Sequence, residues 1–156
     1  MTTVLHISDL HFGTEVPAAV EALVRLARAW PPDVLIVSGD ITQRARRAQF
    51  EAAQRFIQRL AATHVLVLAG NHDVPLFAVW TRVWRTHAGF MRVFGAELEP
   101  RHADADLLLL GVNTTRAWRH KHGEVSSAQV QRACAELPVA TPSQLRVVLT
   151  HQPALV

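Results

Sequence analysis

Aspartate, histidine and asparagine recur in this sequence in places where apolar runs stop. "SDLH" sets Asp9 and His11 two positions apart, "SGD" ends in Gly39-Asp40, and "HVLVLAGNHD" breaks at Gly70 to offer Asn71, His72 and Asp73. Further on, "VNTT" carries Asn113 and "THQP" carries His151. Carboxylate, imidazole and amide oxygen are donors preferred by Mn, Fe, Zn and related ions, and the absence of cysteine among them argues against a thiolate structural zinc site. Each fragment also has a plainer reading. Asp9 could cap a turn, His11 could be a hydrogen-bonded core histidine, and Asp40 suits a helix N-cap. Asn71 tolerates turn conformations, and His72 with Asp73 could be an ordinary loop pair.

The elements that must position these residues show in the hydrophobic pattern. Five short runs are rich in Val, Ile or Leu: Val4 to Ile7, Val34 to Val37, Val65 to Leu68, Leu107 to Val112, and Arg146 to Leu149. They are continuous rather than alternating, as strands covered on both faces tend to be. Between them, Val20, Leu23, Val24, Ala27 and Trp30 recur at helical spacing, as do Phe50, Ala53, Phe56, Ile57 and Leu60. The prolines at 31 and 32 stop the first helix. Leu76 to Phe94 reads as helical, and Ser126 with Gln129 makes a capping-box start to a helix that ends before Pro138. The order β-α-β-α-β-α-β-α-β predicts an α/β sandwich whose first part is built from right-handed crossovers. In open α/β sheets, ligand sites form outside the carboxyl ends of strands, so polar residues far apart in sequence converge there.

Composition sets the outer bounds. At 156 residues and 49% hydrophobic content, the chain fits a single domain over 1–156. No apolar run approaches the roughly 18 residues needed to cross a bilayer, and "MTTVLHISDLHFG" lacks the regions of a signal peptide, so a soluble, cytoplasmic protein without a membrane partner is expected. Cys134 is the single cysteine, which excludes an internal disulfide and predicts an inert buried thiol. The net charge is only +3, and Lys121 is the sole lysine. That balance favours a phosphorylated substrate over a cationic one and gives no particular support to nucleic acid as a partner.

Taken in order, Asp9-Leu10-His11, Gly39-Asp40, Gly70-Asn71-His72-Asp73 and His151 resemble the D-x-H, G-D, G-N-H-D and later H signature of the calcineurin-like metallophosphoesterase superfamily. The resemblance covers essentially the whole chain, and "SGDITQRARRAQF" with "GNHDVPL" most resembles its bacterial cyclic-nucleotide phosphodiesterase branch. It implies a layered α/β/β/α sandwich and two divalent ions, of Mn, Fe, Zn or Co. Asp9 and His11 would bind the first ion, Asp40 would bridge both, and Asn71 with His151 would bind the second. A hydroxide shared between the ions would attack a small phosphorylated, nucleotide-like substrate. His72 would then not be a ligand but would help protonate the leaving oxygen, with Asp73 fixing its tautomer and orientation. A phosphomonoesterase or nuclease on the same metal core, or an inactive interaction module, are the alternatives.

The chain departs from that pattern in one respect: the G-H-x-H that normally follows the His151 motif is absent. The resemblance therefore implies a C-terminally truncated domain, with each metal one ligand short and little activity. "RHKH" offers His120 and His122 at the right spacing, but it precedes His151 and lacks the glycine, so a solvated loop is expected. Arg44, Arg46 and Arg47 read as a solvated helix start, with phosphate binding as the alternative. Asn113 is a candidate for supporting a metal ligand. Trp80, Trp84 and Trp118 read as core packing before base stacking. His6 is expected to be hydrogen-bonded within its strand, and His64, His87 and His102 carry no partner pattern. No residue is singled out for substrate contact.

Overall fold

A computed structural model describes residues 1–75, 86–116 and 122–153. Its first half alternates strand and helix: β1 (Val4–Ile7), α1 (Pro17–Ala29), β2 (Val34–Ser38), α2 (Arg47–Arg59) and β3 (His64–Leu68). The three strands are parallel in the order β1-β2-β3, with Val4 opposite Val34 and Val34 opposite His64. All five residues of the central β2 are buried, which explains its unbroken apolar run. Pro17 opens α1, where its missing N–H costs nothing. The stripe of α1 ends sooner than its spacing suggests. Trp30 is 74% exposed and its φ of −133° lies outside the helix. It precedes Pro31, whose ring pushes the preceding residue out of the α region. On α2, Phe50, Ala53, Phe56 and Ile57 are all buried, together with Leu60 just beyond it.

The second half supplies α3 (Ala88–Phe94), β4 (Arg101–Ala103), β5 (Leu107–Gly111), α4 (Ser127–Glu136) and β6 (Leu145–Leu149). Of the helix expected over 76–94, the described part is α3; residues 76–85 lie outside the described residues. In the second sheet, β5 pairs antiparallel with β4 and parallel with β6. β4 was not expected from the pattern: it is three residues long and reads Arg-His-Ala, with no apolar run to mark it. The Asp104 carboxylate makes its turn by accepting the Asp106 and Leu107 N–H groups at 2.7 and 2.8 Å. The predicted capping box is present, since the Ser126 hydroxyl accepts from Gln129 N while Gln129 Oε1 accepts from Ser126 N. Pro138 follows α4 in a single 3₁₀ turn.

Alternation along the strands sorts the side chains into layers. Leu35 and Val37, with Leu5, Ile7 and Val67, pack against Val24, Ala27, Phe50 and Phe56 of the helices. The opposite face of that sheet places Val34, Ile36, Leu66 and Leu68 against Leu107, Leu109 and Leu149 of the second sheet. Leu108 and Leu110 turn outward onto Leu137 and Ala140. The chain is thus a mixed α/β structure with the α/β/β/α layering that the resemblance implied. The last layer is thin, because α4 has no buried residue. This corrects the expectation for Cys134, which sits on α4 and is exposed. Among the described residues no helix is long and apolar enough to cross a membrane.

Candidate metal centre

The three strands of the first sheet end at one edge, where their exit loops are bonded side by side. Asp9 N donates to Gly39 O at 3.1 Å, His11 N to Asp40 O at 2.9 Å and Phe12 N to Ile41 O at 2.9 Å. The backbone there is strained: Asp9, His11 and Asp40 have φ of +55°, +44° and +48°. Left-handed conformation costs a non-glycine residue roughly 1–2 kcal/mol, so three such residues together mark a place where the fold holds side chains against local preference. Two glycines make the crowding possible. A Cβ on Gly39 would lie 2.5 Å from the His151 ring, and one on Gly70 would lie 2.1 Å from Asp40 N.

Asp40 occupies the middle of this edge and is 5% exposed. Its Oδ1 lies 3.3 Å from His151 Nε2 and accepts the His72 main-chain N–H at 2.8 Å. Its Oδ2 lies 3.8 Å from His11 Nε2, which is also 3.8 Å from Asp9 Oδ1. On the other side His151 Nε2 is 3.3 Å from Asn71 Oδ1. Asp40 therefore stands between an Asp9/His11 pair and an Asn71/His151 pair. Separations of 3.8 Å are too long for hydrogen bonds. The His11 imidazole thus meets both carboxylates without bonding to either, and its Nδ1 is buried with no hydrogen-bond partner.

The electrostatics follow from the same contacts. Burial pushes the Asp40 carboxyl up, but the hydrogen bonds from His151 and the His72 N–H outweigh it and hold the group below its ordinary range. Burial pulls His151 down, and Asp40 more than reverses this, so its pKa is raised. His151 Nδ1 lies 2.8 Å from Ser38 O, and a carbonyl can only accept, so Nδ1 carries a proton and Nε2 faces Asp40. Histidines that ligate metals are held in this way. Ligand atoms of Asp9, Asp40 and His151 come within 4.8 Å of one another, as do those of His11, Asp40 and His72. Oxygen and imidazole donors gathered on both sides of one carboxylate fit divalent cations.

His72 Nδ1 lies 3.0 Å from Gln43 O, which fixes its proton on Nδ1 and leaves Nε2 free. Its ring stands edge-on to His11 with centroids 4.9 Å apart. Asp73 differs from expectation. Its carboxylate accepts from Ile41 N at 3.1 Å, Thr42 N at 2.8 Å, Thr42 Oγ1 at 2.9 Å and Gly70 N at 2.9 Å. It thus ties the β2 and β3 exit loops together, while the Gln43 carbonyl orients the imidazole. The reason is the 3₁₀ turn over Asn71–Asp73, in which successive side chains diverge by roughly 120° and the third turns inward. Burial pushes the Asp73 carboxyl up to about 6 against the pull of its four donors. Gln43 is not legible in the sequence because a main-chain carbonyl has no residue type to read, and Thr42 because a hydroxyl's partner depends on how the two exit loops meet.

The remaining candidates disperse. The Asn113 side chain accepts from Thr115 N at 3.1 Å and lies 3.4 Å from His87 Nε2, within the turn after β5. That turn supports the end of β3 through Thr115 Oγ1, which donates to Ala69 O at 3.1 Å. Gln152, not anticipated, places Nε2 3.4 Å from Asn71 Oδ1. Arg47 pairs with Glu51 at 2.7 Å, while Arg44 and Arg46, the first and third residues after Gln43, are exposed. His6 is bonded to Ser38 Oγ at 2.7 Å, as its strand position suggested. His122 is exposed; His120, Trp80, Trp84 and Trp118 lie outside the described residues.

Comparison with known proteins gives the family. Residues 2–154 match the family model described as calcineurin-like phosphoesterase. A probable cyclic nucleotide phosphodiesterase of Synechococcus sp. is 29% identical over 82 residues, which take in 47% of this chain and 32% of that relative. The match thus spans about a third of the relative's length.

Proposed function

Since this chain belongs to the calcineurin-like phosphoesterase family, we propose that it hydrolyses phosphodiesters, with cyclic nucleotides as the substrate class. The observation that carries this reading is the Asp40 carboxylate, with one oxygen turned to His11 and the other to His151. Asp9 and His11 would hold one divalent ion, Asn71 and His151 a second, with Asp40 shared. Bound there, two such ions supply an acidified water and neutralise charge on the attacking and leaving oxygens.

The chain's own groups supply the rest. His72, with Nδ1–H on the Gln43 carbonyl, presents Nε2 on the far side of its ring. In the imidazolium form that nitrogen donates a proton to the departing oxygen, a role worth about 10²–10⁴-fold in rate. Arg44 and Arg46 follow Gln43 in the chain and are exposed, and their positive charge would favour an anionic ester. Asp73, buried behind the loops, touches no substrate. The test is a chromogenic phosphodiester assay with Mn²⁺, together with elemental analysis. His72→Ala is expected to lose turnover while retaining metal. A His72→Ala protein as fast as wild type would refute the assigned role.

A further inference from the structure

We propose that Thr42 is a positioning residue for His72: its buried hydroxyl fixes the turn that presents the Gln43 carbonyl to the imidazole. The inference rests on reading His72 as the proton donor, and it adds the question of what sets the tautomer of that ring. Thr42 is fully buried, and Oγ1 lies 2.9 Å from Asp73 Oδ1. An ionised carboxylate only accepts, so the hydroxyl hydrogen points to Asp73. Its lone pairs are then free to receive the Ala45 N–H, which lies 3.0 Å away. The same hydrogen cannot also go to His72 O, 3.3 Å distant.

That bond to Ala45 holds a turn that would not form readily by itself. Ala45 has a φ of +49°, left-handed and unfavourable for a residue with a Cβ, and it packs against the core formed by the helices. The N–H groups on either side, of Arg44 and Arg46, both go to Gln49 Oε1, at 3.0 and 3.3 Å. Gln43 N donates to Phe12 O at 3.1 Å. Four consecutive N–H groups are therefore fixed, and the direction of the Gln43 carbonyl is fixed with them. It meets His72 Nδ1 at 3.0 Å. The path runs from the Asp73 carboxylate through the Thr42 hydroxyl to the turn, and from the turn to the tautomer.

Thr42→Val keeps the volume and branching and removes the hydroxyl, leaving the Ala45 N–H without its acceptor. Thr42→Ser restores the hydroxyl. The measurement is ¹⁵N NMR of the His72 imidazole in the metal-free chain, at a pH where the ring is neutral. Wild type is expected to show a protonated Nδ1 and an unprotonated Nε2. In Thr42→Val the two signals should move toward each other as both tautomers become populated, and Thr42→Ser should return them. Turnover should fall roughly 10-fold in the valine variant, with bound metal unchanged. Should Thr42→Val not fold, Thr42→Ala applies the same test with a smaller side chain. Unchanged His72 signals in a folded Val or Ala variant would overturn the proposal. The tautomer needs no substrate to be read, so a wild-type chain with the expected response and no phosphodiesterase activity would refute the functional reading alone.

Discussion

Aspartate and histidine gather at both ends of the strands, and the two gatherings are built on opposite principles. At the end where β2, β3 and β5 begin, every contact closes. Asp104 accepts from Asp106 N, Leu107 N, Thr2 Oγ1 and His102 Nε2 at 2.7–3.2 Å. Asp106 holds the N-terminal ammonium at 3.2 Å, and the His64 and His102 rings meet tilted, with centroids 4.6 Å apart. At the end where the strands finish, His11 Nε2 stands 3.8 Å from two carboxylates, and the residues that carry these groups have left-handed backbones. The first cluster is complete in itself and stabilises a turn. The second leaves the His11 imidazole unbonded to either carboxylate on left-handed backbone, an arrangement that suits the proposed cation site. Residue type alone does not separate the two; distance and backbone geometry do.

The most disruptive way to test this contrast is Asp40→Ala, which removes the carboxylate common to both halves of the open cluster. Bound metal should be lost and turnover should fall by about 10³-fold, since metal ions contribute several kcal/mol to such transition states. Elemental analysis and steady-state kinetics read both effects. A smaller perturbation leaves every donor in place. Gly70→Ala puts a methyl group 2.1 Å from Asp40 N, whereas Gly95, with φ +94°, has nothing within 4 Å of its virtual Cβ. Gly70→Ala should cost about 1–3 kcal/mol in denaturant unfolding and also weaken metal binding. Gly95→Ala should cost roughly 1–2 kcal/mol for backbone strain alone and leave metal binding unaltered.

The closed cluster makes a prediction with a pH signature. Burial pushes the Asp104 carboxyl up, but its donors outweigh this and hold it at about 2, below the ordinary aspartate range. A carboxyl depressed in the folded state stabilises at pH values above its unfolded pKa, and that stability is lost as pH falls from about 4 to about 2. Asp104→Ala should therefore cost about 1 kcal/mol at neutral pH, with the solvent-screened surface setting the low figure, and the difference from wild type should shrink across that window. Metal content should not change. The smallest effect is expected for His64→Ala, an exposed strand-end residue: stability within about 0.5 kcal/mol of wild type and metal content intact.

Much of this architecture could be read in the sequence, for a physical reason. The runs of Val, Ile and Leu locate β1, β2, β3, β5 and β6 to within a residue or so, although only the central β2 and β5 are buried on both faces while β1, β3 and β6 each leave residues exposed. Their polar exits stood out against that background, and Asp9, His11, Asp40, Asn71 and His151 do meet at one edge. What escaped notice depends on features without a residue signature. β4 is a short polar strand created by the Asp104 turn, and the partner of His72 is a main-chain oxygen. The direction of Asp73 depends on the turn type after Gly70. Trp30 kept the helical period beyond the point where Pro31 ended the helix. Cys134 lies on a helix whose capping was legible but whose burial depended on how little of the outer layer packs inward.

Anomalous diffraction from crystals of the Mn²⁺-loaded chain tests the central claim most directly. The account predicts two peaks roughly 3.5–4 Å apart on either side of the Asp40 carboxylate, one beside Asp9 and His11 and the other beside Asn71 and His151, with His72 Nε2 bound to neither. A single peak seated among His11, Asp40 and His72, or metal at the His102–Asp104 end, would contradict it.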